Sequence, residues 1–282
     1  MRCWLQFSRY ALTLHGDYVS TSCYIAALIK LLEGRPAGQG NTRPYALEEE
    51  LVRVFTRLDI QAVSHTDPFT LEDRIRLKDC GVAEIENIPE RFESFSEAHR
   101  FFCVFARRSS HCGAIARQVG QPLHGGRGMP NIDASTLEKM SPATHLKDLS
   151  QWGTAFDPIY RDNFTKNEPW LLMQRLQYIT IRLNISHFAV TEETNHDQSI
   201  AEFQEMVYLS KILLVGKKCG FDFSIDLQTI YPLNFVGKKC RHPSIRREAI
   251  QLLECTYRRE GIWDNVVTAK ICSWIMEVEK AW

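Results

Sequence analysis

The chain of 282 residues lacks several features that would define its class directly. It contains nine cysteines but no C-x-x-C pair, so the sequence predicts neither a zinc ribbon nor a disulfide framework. Its 34 basic and 34 acidic residues cancel, whereas binding to a phosphate backbone normally requires a basic excess. We therefore expect no direct nucleic-acid binding by this chain.

Long apolar stretches are also missing. The uninterrupted apolar runs are short, as in "CYIAALI" at 23–29, whereas a bilayer-spanning helix needs about 20 residues. Polar residues interrupt the N-terminus before the apolar core of a signal peptide can form. These observations predict a soluble, intracellular protein that does not bind a membrane.

Familiar catalytic motifs are absent too. Neither G-x-S-x-G nor H-E-x-x-H occurs, and neither "GKKC" stretch completes a phosphate-binding P-loop. His196-Asp197 resembles a metal-phosphohydrolase dyad, but the additional spaced histidines are not evident, so a solvated loop is the favoured interpretation. We expect a protein that is not an enzyme and that holds no cofactor in this chain.

Helical periodicity dominates what is present. Apolar residues recur at three- and four-residue spacing over 47–63. Two stretches match a capping box, 94–97 and 199–202. Pro169 suits the first turn of a helix that is apolar nearly all round and is therefore expected to be central. Since period-two alternation is scarce, the sequence predicts an all-α fold without a sheet.

The C-terminal third predicts three helices in quick succession, over 231–240, 242–254 and 262–282. The last of these would turn a stripe of six apolar residues inward: Trp263, Val267, Ile271, Trp274, Ile275 and Val278. Residues 109–145 are rich in glycine and proline and predict a long mobile loop. Together the patterns predict a single domain over 1–282, with about ten helices in stacked pairs.

The most unusual stretch is 237–264, which holds seven Lys and Arg residues. Its Cys240, His242 and Cys255 suggest a metal site. Zinc, however, takes four ligands, usually in two close pairs. A histidine at a helix entrance and two core thiols are therefore the favoured interpretation.

Basic residues in the same stretch form two groups. Arg246 and Arg247, with Glu248, fall between inward-facing apolar positions, which predicts a solvated face with local ion pairs. The second group surrounds Gly261 and predicts a corner between helices that arginine forks brace. Eight residues are candidate signature positions, with structural roles first: Arg246, Arg247, Arg258, Arg259, Glu260, Gly261, Trp263 and Asp264.

The stretch "CRHPSIRREAIQLLECTYRREGIWD" at 240–264 resembles the C-terminal signature of the fungal-specific transcription factor domain. That domain is the helical regulatory region of zinc-cluster regulators, whose separate DNA-binding module holds two zincs on six cysteines. "LEEELVRVFTRLDIQAV" at 47–63 and "RFESFSEAHRFF" at 91–102 resemble further parts of the family, and "HGDYVSTSCYIAALIKLLEG" at 15–34 does so more loosely. The likeness runs from about Leu12 to Trp282.

The resemblance implies a nuclear regulatory domain that controls transcription by RNA polymerase II. Protein partners of the transcription machinery are implied, and a homodimer and a small-molecule effector are further options. The family's zinc cluster is absent here, so zinc would belong to that missing module, and the chain is expected to be truncated at its N-terminus. Pro158 is expected to break a helix that relatives continue.

A second hypothesis is a stand-alone helical module that binds a small molecule or a protein and has no role in DNA binding. A large apolar cavity with a few convergent polar groups would support it. Four aromatic residues could line such a pocket, although residues of this kind more often simply form core: Trp152, Phe156, Trp170 and Tyr178. An enzyme is the third hypothesis, which a pocket with paired, strongly shifted titratable groups would favour.

Overall fold

The computed structural model describes residues 60, 70–78, 87–120, 141–163, 166, 168–187, 193–215, 221–224, 226–255 and 257–280. Eight α-helices and three short strands form within these residues. The helices are α1 (Leu71–Lys78), α2 (Phe95–Gly120), α3 (Pro142–Asn163), α4 (Pro169–His187), α5 (Ile200–Leu214), α6 (Ile230–Lys239), α7 (Pro243–Glu254) and α8 (Asn265–Lys280). The strands are β1 (Phe221–Ser224), β2 (Tyr257–Glu260) and β3 (Trp263–Asp264), and a 3-10 helix spans Glu193–Ser199. None of the described helices is both long and apolar enough to cross a bilayer.

The described chain is mostly helical, as the periodicity predicts, but the expectation of no sheet is wrong. Strand β1 pairs in parallel with β2, and β2 pairs antiparallel with β3. Along β2 the buried positions are Arg258 and Glu260. Burial therefore alternates along β2 with the period of two that is typical of a half-buried strand. Because the buried positions carry charged residues, the alternation does not appear as a pattern of apolar residues in the sequence.

Both predicted capping boxes lie at the start of a helix, but only the first forms side-chain hydrogen bonds to the backbone. The backbone N–H of Glu97 donates to Ser94 Oγ at 3.2 Å, and the Glu97 carboxylate accepts from the backbone N–H of Glu93 at 2.9 Å. Ser199 precedes α5 without a side-chain cap bond. Glu202 instead forms an ion pair with Arg182 of α4, at 2.9 Å.

Two predicted interruptions are helical at positions that the structure describes. Of the loop predicted at 109–145, residues 109–120 belong to α2 and 142–145 to α3, while 121–140 lie outside the described residues. Pro158 lies inside α3, which continues to Asn163, so the predicted break is wrong. The predicted helix at 47–63 falls outside the described residues except for Ile60, which is helical.

Two buried clusters form the core, and α4 contributes to both, so this helix is central as predicted. The first cluster joins α2, α3 and α4 around Trp152. The ring of Trp152 stacks on that of Phe156 with centroids 4.7 Å apart, and its indole N–H donates to the carbonyl of Ala98 at 2.8 Å. The second cluster joins α4 to α5, α6, α7 and α8.

Helix α8 turns a different face to the core than its sequence predicts. Trp263 precedes the helix and lies in β3. Ile275 is half-buried. The other four residues predicted to face the core from α8 are exposed: Val267, Ile271, Trp274 and Val278. The buried face carries Asn265, Thr268, Ala269 and Cys272 instead. A Cβ added to Gly237 of α6 would lie 2.7 Å from Sγ of Cys272, so α6 and α8 meet where only small side chains fit.

Candidate functional site: a cavity beside a buried polar corner

The carboxylate of Glu260 caps the start of α6. Glu260 is fully buried at the end of β2. Its two carboxylate oxygens accept the backbone N–H groups of Gln228, Thr229 and Ile230 at 2.7, 2.9 and 3.0 Å, and the Thr229 hydroxyl at 3.1 Å. A negative group at a helix N-terminus satisfies free N–H donors and interacts favourably with the helix dipole.

Arg258 lies beside that carboxylate and is also buried. Its Nε is 2.9 Å from Oε1 of Glu260 and its Nη1 is 3.2 Å from Oδ2 of Asp222 on β1, both as ion pairs. Its Nη2 donates to the side-chain carbonyl of Gln228. The corner therefore joins β1, β2 and the segment 226–229 through one guanidinium.

Asn265 attaches the same corner to α7. Its side-chain oxygen accepts the backbone N–H of Arg258 at 2.8 Å, and its amide nitrogen donates to the carbonyl of Leu253 at 2.6 Å. Asn265 is buried, and sequence reasoning missed it. Because the Asn265 side chain bonds to both Arg258 and Leu253, it fixes the orientation of β2 relative to the end of α7.

The other signature arginines occupy different environments. Arg246 is only 5% exposed, so the predicted solvated face is wrong at this position. Its Nε donates to the carbonyl of Gly237 at 2.7 Å, and its Nη1 bonds to Glu279 of α8. Arg247 is exposed, as predicted. Arg259 pairs with Asp264 at 3.3 Å across the turn between β2 and β3.

Gly261 and Trp263 shape that turn. Gly261 has φ of 56°, a conformation that suits glycine, and its N–H donates to the carbonyl of Ser224 at 2.7 Å. Trp263 is buried, with its ring edge-on to that of Tyr231 at a centroid distance of 5.4 Å. Together they pack the turn onto β1 and α6.

The three residues considered for metal binding differ in solvent exposure. Cys240 is buried, Cys255 is exposed, and His242 is exposed at the N-cap of α7, with Nδ1 3.0 Å from Ser244 Oγ. The interpretation of two core thiols is therefore wrong for Cys255. Across the described ranges, no group of three His, Cys, Asp or Glu residues has the arrangement of a metal site.

The prediction of a solvated loop at His196-Asp197 is wrong for His196, whereas Asp197 is exposed. Both residues belong to the 3-10 helix Glu193–Ser199, and His196 is buried. Asp197 forms an ion pair with Arg241 at 3.4 Å.

A cavity of about 740 Å³ opens between α2, α4, the end of α5 and the segment 226–232. Its volume lies within the range of about 300–1,000 Å³ that accommodates drug-sized ligands. The apolar wall comes from side chains on all four elements: Phe95, Phe102, Met173, Ile181, Leu213 and Leu227. Such a space between helices, apolar with a few polar groups, fits the recognition of a small molecule.

A chain of three polar side chains lies along one wall of the cavity. Nδ1 of His99 is 2.7 Å from Oε1 of Gln174, and Nε2 of His99 is 3.5 Å from Sγ of Cys103. His99 and Cys103 are one turn apart on α2, and Gln174 faces them from α4. All three line the cavity. Sequence reasoning missed this set, because a histidine and a cysteine four residues apart carry no motif without the glutamine.

The cavity and the buried corner share one structural element. Asp226, Leu227 and Gln228 line the cavity, and so do Tyr231 and Pro232 at the start of α6. On its other side, this segment is bound by the carboxylate of Glu260 and the guanidinium of Arg258. Glu260 and Arg258 therefore position one wall of the cavity.

The predicted pocket aromatics divide unequally. Trp170 lines the cavity. Trp152 and Phe156 are buried in the first core cluster, and Tyr178 packs against both clusters. Most of the residues that line the cavity lie on α4 and on the α2 face that carries His99.

Comparison of the chain with protein-family models, with curated proteins and with solved structures finds no match in any of the three.

Proposed function

We propose that this chain is a regulatory domain of the fungal-specific transcription factor type, and that a small molecule in the cavity controls it. It would act in the nucleus on transcription by RNA polymerase II, through protein partners, without binding DNA or catalysing a reaction itself. The resemblance at 240–264 supports the family. The cavity wall bound by Glu260 and Arg258 supports the control.

The contacts give a physical route from a ligand to the C-terminal helices. A molecule in the cavity touches 226–228, and any displacement of that segment acts on the bonds to Glu260. Glu260 caps α6, while its neighbour Arg258 is bonded to Asn265 at the start of α8. A ligand shifts the equilibrium between two conformations of a protein only if it binds them with different affinities. The buried polar network around Glu260 and Arg258 has few alternative arrangements.

The test couples the full chain to a heterologous DNA-binding domain upstream of a reporter gene in a fungal host. We expect reporter transcription to change relative to the DNA-binding domain alone. Ala106→Phe, which adds a ring at the cavity wall, should alter that response. Ala201→Phe, at an exposed position on α5, is the matched control and should not. Unchanged transcription with every fusion, including the unmodified chain, would refute a regulatory role.

DNA binding is tested separately with the purified chain. We expect no base-selective retention of duplex DNA at moderate salt, because the charge balance gives no basic excess. Tight, sequence-dependent retention would contradict the proposed division of labour between this chain and a separate zinc cluster.

The cavity also favours a second candidate, a stand-alone small-molecule-binding module without a role at DNA. The two candidates differ in one outcome. Ligand binding by the purified chain together with an inert reporter fusion would favour the stand-alone module. Ligand binding together with a ligand-dependent reporter would favour the regulatory domain.

A further inference from the structure

The charge of the cavity wall limits the molecules that it can hold. Among the described residues that line the cavity there is no lysine or arginine, and one carboxylate, that of Asp226. An anionic ligand would lose its hydration without gaining an opposite charge from a lysine or arginine. Because burying an unpaired charge is costly, this lining selects against anions and favours largely apolar molecules.

Gln174 provides a polar group that the fold leaves unused. Its side chain is 1% exposed, and its Oε1 lies 2.7 Å from Nδ1 of His99. The thiol of Cys103, 3.5 Å from Nε2 of His99, can donate to that nitrogen, which leaves the proton on Nδ1 for Gln174 to accept. The amide nitrogen of Gln174 then remains a donor, and it has no hydrogen-bond partner.

Neighbouring polar side chains on α4 differ in this respect. The Gln177 amide donates to the carbonyl of Leu227 at 2.8 Å, and the Asn184 amide donates to the carbonyl of Thr180 at 2.9 Å. These groups also line the cavity, but each of their amide nitrogens already donates one bond within the protein. A buried donor without a partner costs about 1–3 kcal/mol, so an acceptor that reaches Gln174 gains a favourable bond.

We propose that the cavity binds an uncharged, mainly apolar molecule carrying a carbonyl-type hydrogen-bond acceptor, which the side-chain amide of Gln174 recognises. Gln174 is the specificity-determining residue, and His99 and Cys103 are positioning residues that orient its amide. This inference rests on the proposed binding function of the cavity and specifies its ligand class.

The test uses three rigid probes of nearly equal size. Fluorenone has a carbonyl, fluorene has a methylene at the same position, and fluorene-9-carboxylate adds an anion there. Each competes with Nile red, whose fluorescence rises in an apolar cavity. We expect fluorenone to displace Nile red at roughly tenfold lower concentration than fluorene, the ratio given by one added hydrogen bond. The carboxylate should compete least.

The variant Gln174→Met keeps the length of the side chain and removes the donor. The advantage of fluorenone over fluorene should disappear in this variant, while fluorene competes as before. Gln177→Met is the matched control, since its amide is already bonded to Leu227, and the advantage of fluorenone should persist there.

A second measurement needs no variant. Cys103 lines the cavity, whereas Cys255 is exposed at the end of α7. Fluorenone should slow the alkylation of Cys103 by N-ethylmaleimide and leave the rate at Cys255 unchanged, as read by peptide mass spectrometry.

The outcomes separate the two levels of the proposal. If Nile red does not bind the unmodified chain, and no probe protects Cys103, the binding function of the cavity is refuted. If Nile red binds but fluorene and fluorenone compete equally, or their ratio is unchanged in Gln174→Met, the cavity function stands and the ligand class is wrong. Strongest competition by the carboxylate would also overturn the ligand class.

Discussion

Replacing Glu260 by glutamine should strongly destabilise the fold. The substitution keeps the shape but removes the charge that four donors and the guanidinium of Arg258 share. It leaves Arg258 buried beside a neutral amide, and it turns an amide NH₂ toward backbone N–H donors. Breaking a buried ion pair on one side costs about 3–5 kcal/mol, and we expect a loss of unfolding free energy in this range.

The assay is equilibrium unfolding in urea, followed by far-UV circular dichroism, with Glu248→Gln as the control. Glu248 pairs with Lys211 at 3.0 Å, but both side chains are about half exposed. Loss of such a surface pair costs about 0–1 kcal/mol. After Glu260→Gln the buried guanidinium of Arg258 keeps only Asp222 as an ionic partner. Adding Arg258→Met removes that guanidinium and should restore part of the stability. If Glu260→Gln and Glu248→Gln unfold at the same midpoint, the carboxylate does not hold the corner together.

Four further outcomes are expected. Trp263→Ala should cost about 3–5 kcal/mol of unfolding free energy because the residue is 8% exposed. Trp274→Ala should change the unfolding free energy by less than about 0.5 kcal/mol because that residue is 64% exposed. Equal melting temperatures for the two variants would contradict both placements. Gly237→Ala should destabilise by about 1–3 kcal/mol, since the new Cβ would lie 2.7 Å from Sγ of Cys272, and a neutral effect would mean that α6 and α8 can separate freely. Burial raises the pKa of Cys272 to about 11, so its thiolate, and with it alkylation by iodoacetamide, should increase only as the pH approaches that value; rapid labelling at pH 8 would disprove its burial. Cys255 is exposed and should be labelled in the folded protein under the same conditions.

Local signals in the sequence predicted local structure well. The starts of α2 and α4 follow from Ser94 and Pro169, and the bounds of α6 and α7 lie within one residue of their predicted ranges. These features depend on short-range chemistry, the capping of N–H groups and the fixed φ of proline. Such effects operate within one turn of a helix and need no knowledge of distant partners.

The face that α8 buries could not be predicted in this way. Its largest apolar residues form a regular stripe, and a pattern of hydrophobicity assigns that stripe to the core. The close approach of Gly237 to Cys272 decides otherwise, because the contact admits small side chains such as Ala269 and leaves Trp274 outside. Whether two helices meet closely is a property of both, and one helix alone does not encode it.

The candidate site was predictable only in part. The charged residues from Arg258 to Asp264 stood out in the sequence, but not their contact with segment 226–229, some 30 residues earlier in the chain. His99 and Gln174 are 75 residues apart, and neither belongs to a motif. A cavity is the space that several packed helices leave between them, so it follows from tertiary packing rather than from any one segment.

The cap on α6 has a consequence for the order in which the polypeptide acquires its structure during synthesis. The first turn of α6 receives its acceptor from a residue made 30 positions later, and β1 waits for β2 over a similar interval. A ribosome that has translated only as far as Lys239 has produced a helix whose leading amides must still be hydrated. The contacts of the C-terminal third therefore cannot be complete until translation has passed Glu260, and a stop codon shortly before that codon would leave the start of α6 without its carboxylate cap.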